Sequence, residues 1–297
     1  MSDSEPANLT FVQAIKPVVA SESGKAIAPE VAAIAKHAAQ RHGSAVKAVL
    51  FYGSCLRDAV YEDRLVDLYL VVDDYRRAHR RWLEAAGNRL IPPNVYYVEC
   101  GYSGLTLRAK YAVIALEQLT AWVQPTTLNP YFWARFAQPF RILLADDHTA
   151  DRLAAMGAQA IATTIATGPQ NRGDWAARFA QTYCTELRSE KPNRPNLIVE
   201  RHPGYYQKID ACLDRHPVRA ARHQAWLWRV RTWQGKGFSV LRLIKAAFTF
   251  QGGADYLVWK VQRHSGVAIE LSDWQRRHPI LAAPFILWRL KRLGAVR

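Results

Sequence analysis

The sequence has little cysteine and no long apolar run. Its four cysteines, Cys55, Cys100, Cys184 and Cys212, are widely separated and form no Cys-x-x-Cys pair. This spacing argues against a disulfide framework and a structural zinc site, and it is typical of a reducing cytoplasm. Because nowhere do about 18 apolar residues follow one another, we expect no transmembrane helix. Residues 1–8, which include two acidic side chains, also lack the basic-then-apolar order of a signal peptide.

Acidic residues are scarce relative to basic ones. In 297 residues, 40 Lys and Arg stand against 25 Asp and Glu, which gives a formal net charge of +15. A positive field of this size concentrates polyanions, and charge alone does not distinguish nucleic acid, anionic lipid and nucleotide. The hydrophobic content of 49% is ample for a folded core, so the composition excludes a disordered chain.

The stretch at residues 49–74 carries the clearest chemical pattern. Two apolar β-type runs flank the dipeptide Gly53-Ser54, and the second run contains one carboxylate, Asp67. Glycine lets backbone amides approach a phosphate closely, and an aspartate on a strand can hold Mg²⁺ against that phosphate. The pattern indicates a nucleotidyltransferase. The polymerase-β-like type has Asp-x-Asp on this strand, whereas the second acid is replaced here by Tyr69.

The order of apolar patterns predicts a mixed α/β or α+β fold. Helical spacing with a helix start at Pro29 precedes the Gly-Ser stretch, and two more β-type runs follow at residues 95–100 and 105–114. Helical patterning dominates after residue 148. We therefore predict three regions: a nucleotidyltransferase-like domain at 1–148, a mainly helical domain at 149–231 that completes the active site, and a basic amphipathic membrane-surface region at 232–297.

Several short motifs share an order and spacing with a known family. In the first half they are Phe51-Tyr52-Gly53-Ser54, Val66-Asp67-Leu68, Val72-Asp73-Asp74 with His79, Val95-Tyr96-Tyr97, Lys110-Tyr111-Ala112-Val113-Ile114, Trp122 and Arg135-x-x-x-Pro139. Farther on they are Tyr183-Cys184-Thr185-Glu186-Leu187-Arg188, Lys191 and Asn196-Leu197-Ile198-Val199. Together they resemble the mitochondrial-type phosphatidate cytidylyltransferases, the translocator assembly and maintenance proteins, and imply a bacterial-type member. That family also has apolar residues after its aspartate.

The resemblance implies a CTP:phosphatidate cytidylyltransferase of phospholipid biosynthesis that makes CDP-diacylglycerol. The implied partners are CTP, phosphatidate in an anionic membrane surface and the cofactor Mg²⁺, and no nucleic acid is expected. The resemblance assigns roles as follows: catalysis to Asp67, Glu186 and Lys110; metal binding to Asp67 and Glu186; nucleotide binding to Tyr52, Gly53, Ser54, Arg188 and Lys191. Arg135 is interpreted as a surface ion-pair residue. The oligomeric state is left open.

The C-terminal region is rich in basic residues. From Thr232 onward there are eleven Lys and Arg against three Asp and Glu, and residues 241–250 and 285–296 mix basic with large apolar side chains. Such helices with tryptophan can lie in a bilayer surface and bind anionic lipid. The expected location is therefore cytoplasmic and peripheral, on the inner face of the cell membrane. The alternative is a helix packed on the core with its basic residues facing water.

Two other functions fit the same residues. One is a different nucleotidyltransferase that acts on RNA, a protein or a small molecule, since a basic surface suits RNA equally well. The other is a catalytically inactive module that binds nucleotide or lipid, which Tyr69 in place of an acid keeps open.

Overall fold

The fold is mixed α+β, as predicted, with one five-stranded mixed sheet and a majority of helical residues. The computed structural model describes residues 4–58, 64–170, 173–186, 194–220, 224–249 and 271–277, together with Phe285, Arg289 and Arg292. The strands are β1 (Val46–Tyr52), β2 (Leu65–Val72), β3 (Asn94–Tyr102), β4 (Leu105–Ala115) and β5 (Arg141–Leu143).

Helices surround this sheet and form most of the second half of the described chain. They are α1 (Ser4–Ser23), α2 (Pro29–Gln40), α3 (Ser54–Asp58), α4 (Tyr75–Ala78), α5 (Trp82–Leu90), α6 (Leu116–Trp122), α7 (Tyr131–Phe136), α8 (Asp147–Thr167), α9 (Trp175–Tyr183), α10 (Arg194–Glu200), α11 (Pro203–Arg215), α12 (Gln224–Thr249) and α13 (Asp273–Arg277). The predicted helix start at Pro29 is confirmed by α2.

The sheet has the strand order β3-β4-β2-β1-β5. Strands β2 and β4 run parallel, and the other neighbours are antiparallel. Strand β2 is therefore central, and most of its residues are buried, which explains its nearly continuous apolar sequence. Its one acidic residue, Asp67, lies near its beginning, where β1 ends. The topology thus places the Gly-Ser turn beside the strand-borne carboxylate.

The core extends from the sheet into the helices. Side chains of α1, α2 and α8 join those of the strands in one buried cluster, to which α9, α10 and α11 also contribute. Helix α8 is rich in alanine and almost wholly buried in its second half, because small side chains let it pack closely against α1 and α7. The core is continuous across residue 148, and the predicted domain boundary there stays a prediction.

Helix α12 is anchored to the rest of the chain through polar contacts. The indole Nε1 of Trp228 donates a hydrogen bond of 2.7 Å to the carbonyl of Thr167 at the end of α8. Trp228 is buried, so this tryptophan does not face a membrane. Arg231 donates to the carbonyl of Pro125 at 3.2 Å. These bonds hold the first half of α12 against the helical part of the core.

The second half of α12 docks on the segment that precedes β3. Arg242 Nε donates to the carbonyl of Pro92 at 2.8 Å, and Lys245 Nζ donates to that of Pro93 at 2.9 Å. These two basic residues therefore contact the protein, whereas the apolar side chains beside them are exposed: Leu241, Leu243 and Ile244. The expected arrangement in which Arg242 and Lys245 face water is wrong, because both donate to backbone carbonyls. Contact of this helix with a membrane stays a prediction.

The other predicted amphipathic segment, residues 285–296, lies outside the described residues except at Phe285, Arg289 and Arg292. No helix within the described ranges is long and apolar enough to cross a membrane.

Candidate active site

Three strands bring the predicted catalytic residues together. Tyr52 at the end of β1 is the register partner of Asp67 on β2, and Asp67 is in turn the partner of Lys110 on β4. Gly53 follows Tyr52 directly. Residues that are far apart in the sequence thus line up side by side at one end of the sheet, and this proximity is the basis of the site.

Gly53 is required at the turn by both its conformation and its neighbours. Its φ of +90° lies in a region that L side chains rarely adopt. A Cβ at this position would lie 2.7 Å from Asp67 Oδ2, well inside ordinary van der Waals contact. The glycine therefore leaves room for the carboxylate to sit against the turn. Ser54 is the first residue of the short helix α3 that follows.

Lys110 forms an ion pair with Asp67. The distance between Lys110 Nζ and Asp67 Oδ1 is 3.5 Å, and the two side chains are 38% and 22% exposed. Lys110 was predicted to be catalytic, and both its side chain and that of its partner are accessible to solvent. Exposed pairs contribute little to stability. The ammonium group can therefore neutralise an incoming phosphate without loss of the fold.

Tyr69 occupies the place of the second acid and is part of an aromatic group. Its ring centroid is 5.1 Å from that of Tyr52, and its hydroxyl donates to the Tyr131 hydroxyl at 3.3 Å. Burial raises the pKa of both Tyr52 and Tyr69, so both phenols are neutral. A neutral phenol does not replace a carboxylate as a Mg²⁺ ligand.

The three tyrosines surround one arginine, Arg135, from α7. Its Cζ lies 5.2 Å from the ring centroid of Tyr52, 6.0 Å from that of Tyr69 and 4.8 Å from that of Tyr131. Its Nη1 also donates to the Tyr52 hydroxyl at 3.3 Å. Burial lowers the pKa of Arg135 and the tyrosines raise it, with a net upward shift, so the guanidinium stays charged. Arg135 is therefore not the surface ion-pair residue that the sequence suggested, since cation–π contacts hold it beside the site.

Glu186, the predicted second metal ligand, follows α9 and lies among arginines. Its carboxylate exerts an upward pull on the pKa of both Arg135 and Arg242. Arg242 reaches this region from α12, with its Cζ 3.9 Å from the ring centroid of Tyr131. Glu186 is thus on the same side of the protein as the aromatic group. A metal site shared between Glu186 and Asp67 stays a prediction.

A small cleft lies next to the Gly-Ser turn. Tyr52, Gly53 and Arg135 form one part of its lining, and Ile198 and His202 from α10 and the following turn form the other. The middle part of the chain therefore contributes to the surroundings of the turn. The predicted nucleotide-binding residues Arg188 and Lys191 lie outside the described residues.

The residues present allow a Mg²⁺ ion with few protein ligands. Among the described residues there is no group of three or more His, Cys, Asp and Glu side chains that could hold a metal. Mg²⁺ in nucleotide-dependent enzymes is commonly bound by one or two carboxylates, with waters and substrate phosphates as the remaining ligands. Asp67, which is accessible at the turn, meets this requirement as a single ligand.

His79, which belongs to the resemblance motifs, has a structural role. Its Nδ1 is 3.1 Å from the Tyr96 hydroxyl and its Nε2 is 3.0 Å from Asn88 Nδ2. Burial lowers the pKa of His79 to about 4, so the ring is neutral at pH 7. Both nitrogens are therefore already used within the core, and His79 is not available as a metal ligand.

Sequence reasoning missed the roles of Arg135 and Arg242. The motif Arg135-x-x-x-Pro139 was visible, but nothing in the sequence placed three tyrosines around the arginine. No model of a known protein family matches this chain, and no curated protein matches it either.

Proposed function

We propose that this chain is a Mg²⁺-dependent nucleotidyltransferase. One observation carries the proposal: Asp67 lies against the Gly53 turn, where a Cβ would be only 2.7 Å from its Oδ2, and Lys110 Nζ is 3.5 Å from its Oδ1. A turn without a side chain, a carboxylate and a cation within contact distance are the groups that nucleotidyl transfer needs around the phosphates.

Within this class, we propose that the substrates are CTP and phosphatidate and that the product is CDP-diacylglycerol. This choice is based on the resemblance of the ordered motifs to the phosphatidate cytidylyltransferases, which also tolerate a missing second acid. The same resemblance suggests the finer architecture: a polymerase-β-like nucleotidyltransferase domain, a mainly helical domain and a basic C-terminal region.

In the proposed reaction, a phosphate oxygen of phosphatidate attacks the α-phosphorus of CTP. The bond from that phosphorus to the bridging oxygen breaks, and pyrophosphate leaves with the electron pair. Asp67 would hold Mg²⁺, which when bound supplies positive charge to the phosphates. Lys110 neutralises further negative charge beside Asp67, and the turn at Gly53 gives the phosphates room. Such catalysis consists mostly of positioning and charge neutralisation.

A peripheral location on the inner face of the cell membrane is part of this proposal. Phosphatidate remains in the bilayer, so the enzyme has to approach its surface. The net charge of +15 favours an anionic surface. The exposed apolar side chains of α12, among them Leu243 and Trp233, are 66% and 84% accessible, which favours an interfacial contact.

One observation favours a second function, a catalytically inactive module that binds nucleotide or lipid. The position of the second acid is held by Tyr69, a buried phenol that is hydrogen-bonded to Tyr131. A protein with this replacement would keep the turn and the lysine for phosphate binding while lacking one metal ligand.

The deciding experiment gives purified protein labelled CTP, Mg²⁺ and vesicles that contain phosphatidate. We expect a labelled product that extracts with lipid. CTP binding without turnover would support the inactive module, and label on RNA or protein would support another acceptor.

The variant Asp67→Asn should abolish the product. Its matched control is Asp73→Asn, because Asp73 also pairs with a lysine, Lys47, at 3.3 Å, but at the other end of β2. Equal activities of the two variants would show that Asp67 has no special role.

A further inference from the structure

A second cavity lies between α4 and α5, away from the Asp67 site. Its volume is about 470 Å³, which is in the size range of small-molecule sites. Three arginines line it, Arg76, Arg80 and Arg89, together with the indole of Trp82. We call these four residues and the space between them the arginine pocket.

The arginine pocket is separate from the candidate active site. Asp67 lies near the beginning of β2, whereas the pocket begins after Val72, where that strand ends. A strand rises by about 3.3 Å per residue, so the five steps from Asp67 to Val72 span roughly 16 Å. One phosphate group cannot contact both places, so a phosphate bound in the pocket would be distinct from one at Asp67.

The guanidinium groups of the arginine pocket are not directly paired with any acid in the described part of the chain. The guanidinium groups of Arg76, Arg80 and Arg89 form no hydrogen bond and no ion pair with any described residue, and all three side chains are exposed. Their neighbour Arg77 differs, since it pairs with Asp73 and donates to Ser44 Oγ. Three unpaired cations that line one cavity repel one another, and an anion in the cavity would relieve this repulsion.

The other polar groups of the lining do not supply that anion. Asp74 accepts hydrogen bonds from the backbone amides of Arg76 and Arg77, at 2.6 and 3.3 Å, and so caps α4. His79 is neutral at pH 7 and uses both ring nitrogens inside the core. One carboxylate facing three guanidinium groups leaves the pocket with an excess of positive charge.

The chemistry of the lining suits a phosphate group. Guanidinium groups bind phosphate oxygens with two parallel hydrogen bonds each, which a lysine cluster does not do. Trp82, which is 75% exposed, adds an apolar ring at the cavity wall, and Leu83 beside it is 63% exposed. A ligand with a phosphate head and a less polar remainder therefore fits both parts of the lining.

We propose that the arginine pocket binds the phosphate group of an anionic ligand independently of the reaction at Asp67. The phosphate belongs either to a lipid headgroup or to a small soluble phosphomonoester. Phosphate binding in the arginine pocket requires no nucleotide. The proposed binding is therefore independent of whether the chain synthesises CDP-diacylglycerol.

The test compares two double variants of the full chain that remove the same charge. Arg76→Gln with Arg80→Gln changes the pocket. Arg77→Gln with Arg81→Gln changes the same segment, but neither residue lines the pocket. All four side chains are exposed, so we expect both variants to fold, and thermal unfolding checks this. Binding is measured without CTP, by calorimetry with glycerol 3-phosphate and by flotation with phosphatidylcholine vesicles with and without phosphatidate.

We expect the pocket variant to bind at least one probe about tenfold or more weakly, because it loses charge-assisted hydrogen bonds. The control variant should change binding by less than about twofold, because dissolved salt screens the interaction of the ligand with exposed charges outside the pocket. A loss confined to vesicles assigns the pocket to a lipid headgroup, and a loss confined to glycerol 3-phosphate assigns it to a soluble ligand. Equal losses in both variants would overturn the proposal in favour of a non-specific field, as would unchanged binding of both probes.

Discussion

Substitution of Gly53 by alanine should damage the site through a single methyl group. In the native turn, a Cβ would lie 2.7 Å from Asp67 Oδ2, whereas ordinary contact begins at 3.4 Å. The carboxylate therefore has to move by about 0.7 Å from the position in which it contacts Lys110 at 3.5 Å. The backbone adds strain of about 1–2 kcal/mol, because an L residue is unfavourable in the left-handed region.

Gly104 provides the matched control. It also has a positive φ, +80°, but a Cβ there would meet no atom within 4 Å. Gly104→Ala thus introduces similar backbone strain without the clash. We expect both variants to lose about 1–2 kcal/mol in the free energy of unfolding, measured with urea, and Gly53→Ala to lose somewhat more.

Activity should separate the two variants far more than stability does. Displacing a catalytic group by less than about 1 Å can reduce the rate by roughly 100-fold, so Gly53→Ala should lose about that much product in the labelled-CTP assay. Gly104→Ala should remain within about twofold of the unchanged protein, since its strain is remote from the reacting groups. If Gly53→Ala retained the activity of Gly104→Ala, the position of the carboxylate would not matter and the proposed site would be wrong. A Gly53→Ala variant more stable than Gly104→Ala would contradict the predicted clash.

Two further predictions concern other groups. Lys110→Met should reduce cytidylyl transfer by at least about 100-fold, whereas Lys47→Met, which removes a similarly exposed ion pair, should leave it unchanged. Both variants should change the free energy of unfolding by under about 1 kcal/mol. Equal activities of the two variants would exclude a role for Lys110. The pKa of His79 falls on folding from 6.5 to about 4, so its contribution to stability is present above about pH 6.5 and is lost as the pH falls towards 4. In urea unfolding, the free energy of unfolding of the unchanged protein should fall by roughly 3 kcal/mol between about pH 6.5 and pH 4. This fall should be smaller in His79→Gln and unchanged in His37→Gln, whose histidine is exposed. Identical pH profiles for the two variants would contradict the prediction.

Much of the local structure followed from the sequence. The apolar runs around Gly53-Ser54 predicted β1 and β2, and the alternation in the following runs predicted β3 and β4, because strand periodicity is a local property. The proximity of Gly53 to Asp67 was also expected, since the turn and the carboxylate were both predicted to act on one phosphate. Lys110 was placed on a strand correctly, but its contact with Asp67 came from the parallel pairing of β2 with β4, which no local pattern specifies.

The aromatic surroundings of the site depended on longer-range packing. Tyr52, Tyr69 and Tyr131 come from β1, β2 and α7, and only the folded chain brings their rings around Arg135. The sequence suggested only a surface ion pair for Arg135. Its actual role depends on which rings are adjacent, and adjacency across the sheet is a tertiary property.

The sequence by itself determined the elements, the excess of positive charge and the position of the Gly-Ser turn before Asp67. Those properties are encoded residue by residue, through periodicity, ionisation and the conformational freedom of glycine. Only the tertiary structure decided the direction in which the cations point. Composition predicted that Arg242 and Lys245 would face outward, yet the carbonyl groups of Pro92 and Pro93 turn them towards the protein. Arg76, Arg80 and Arg89 line one cavity without a partner among the described residues. The sequence could not show this, because an unpaired charge is recognised only when its neighbours in space are known.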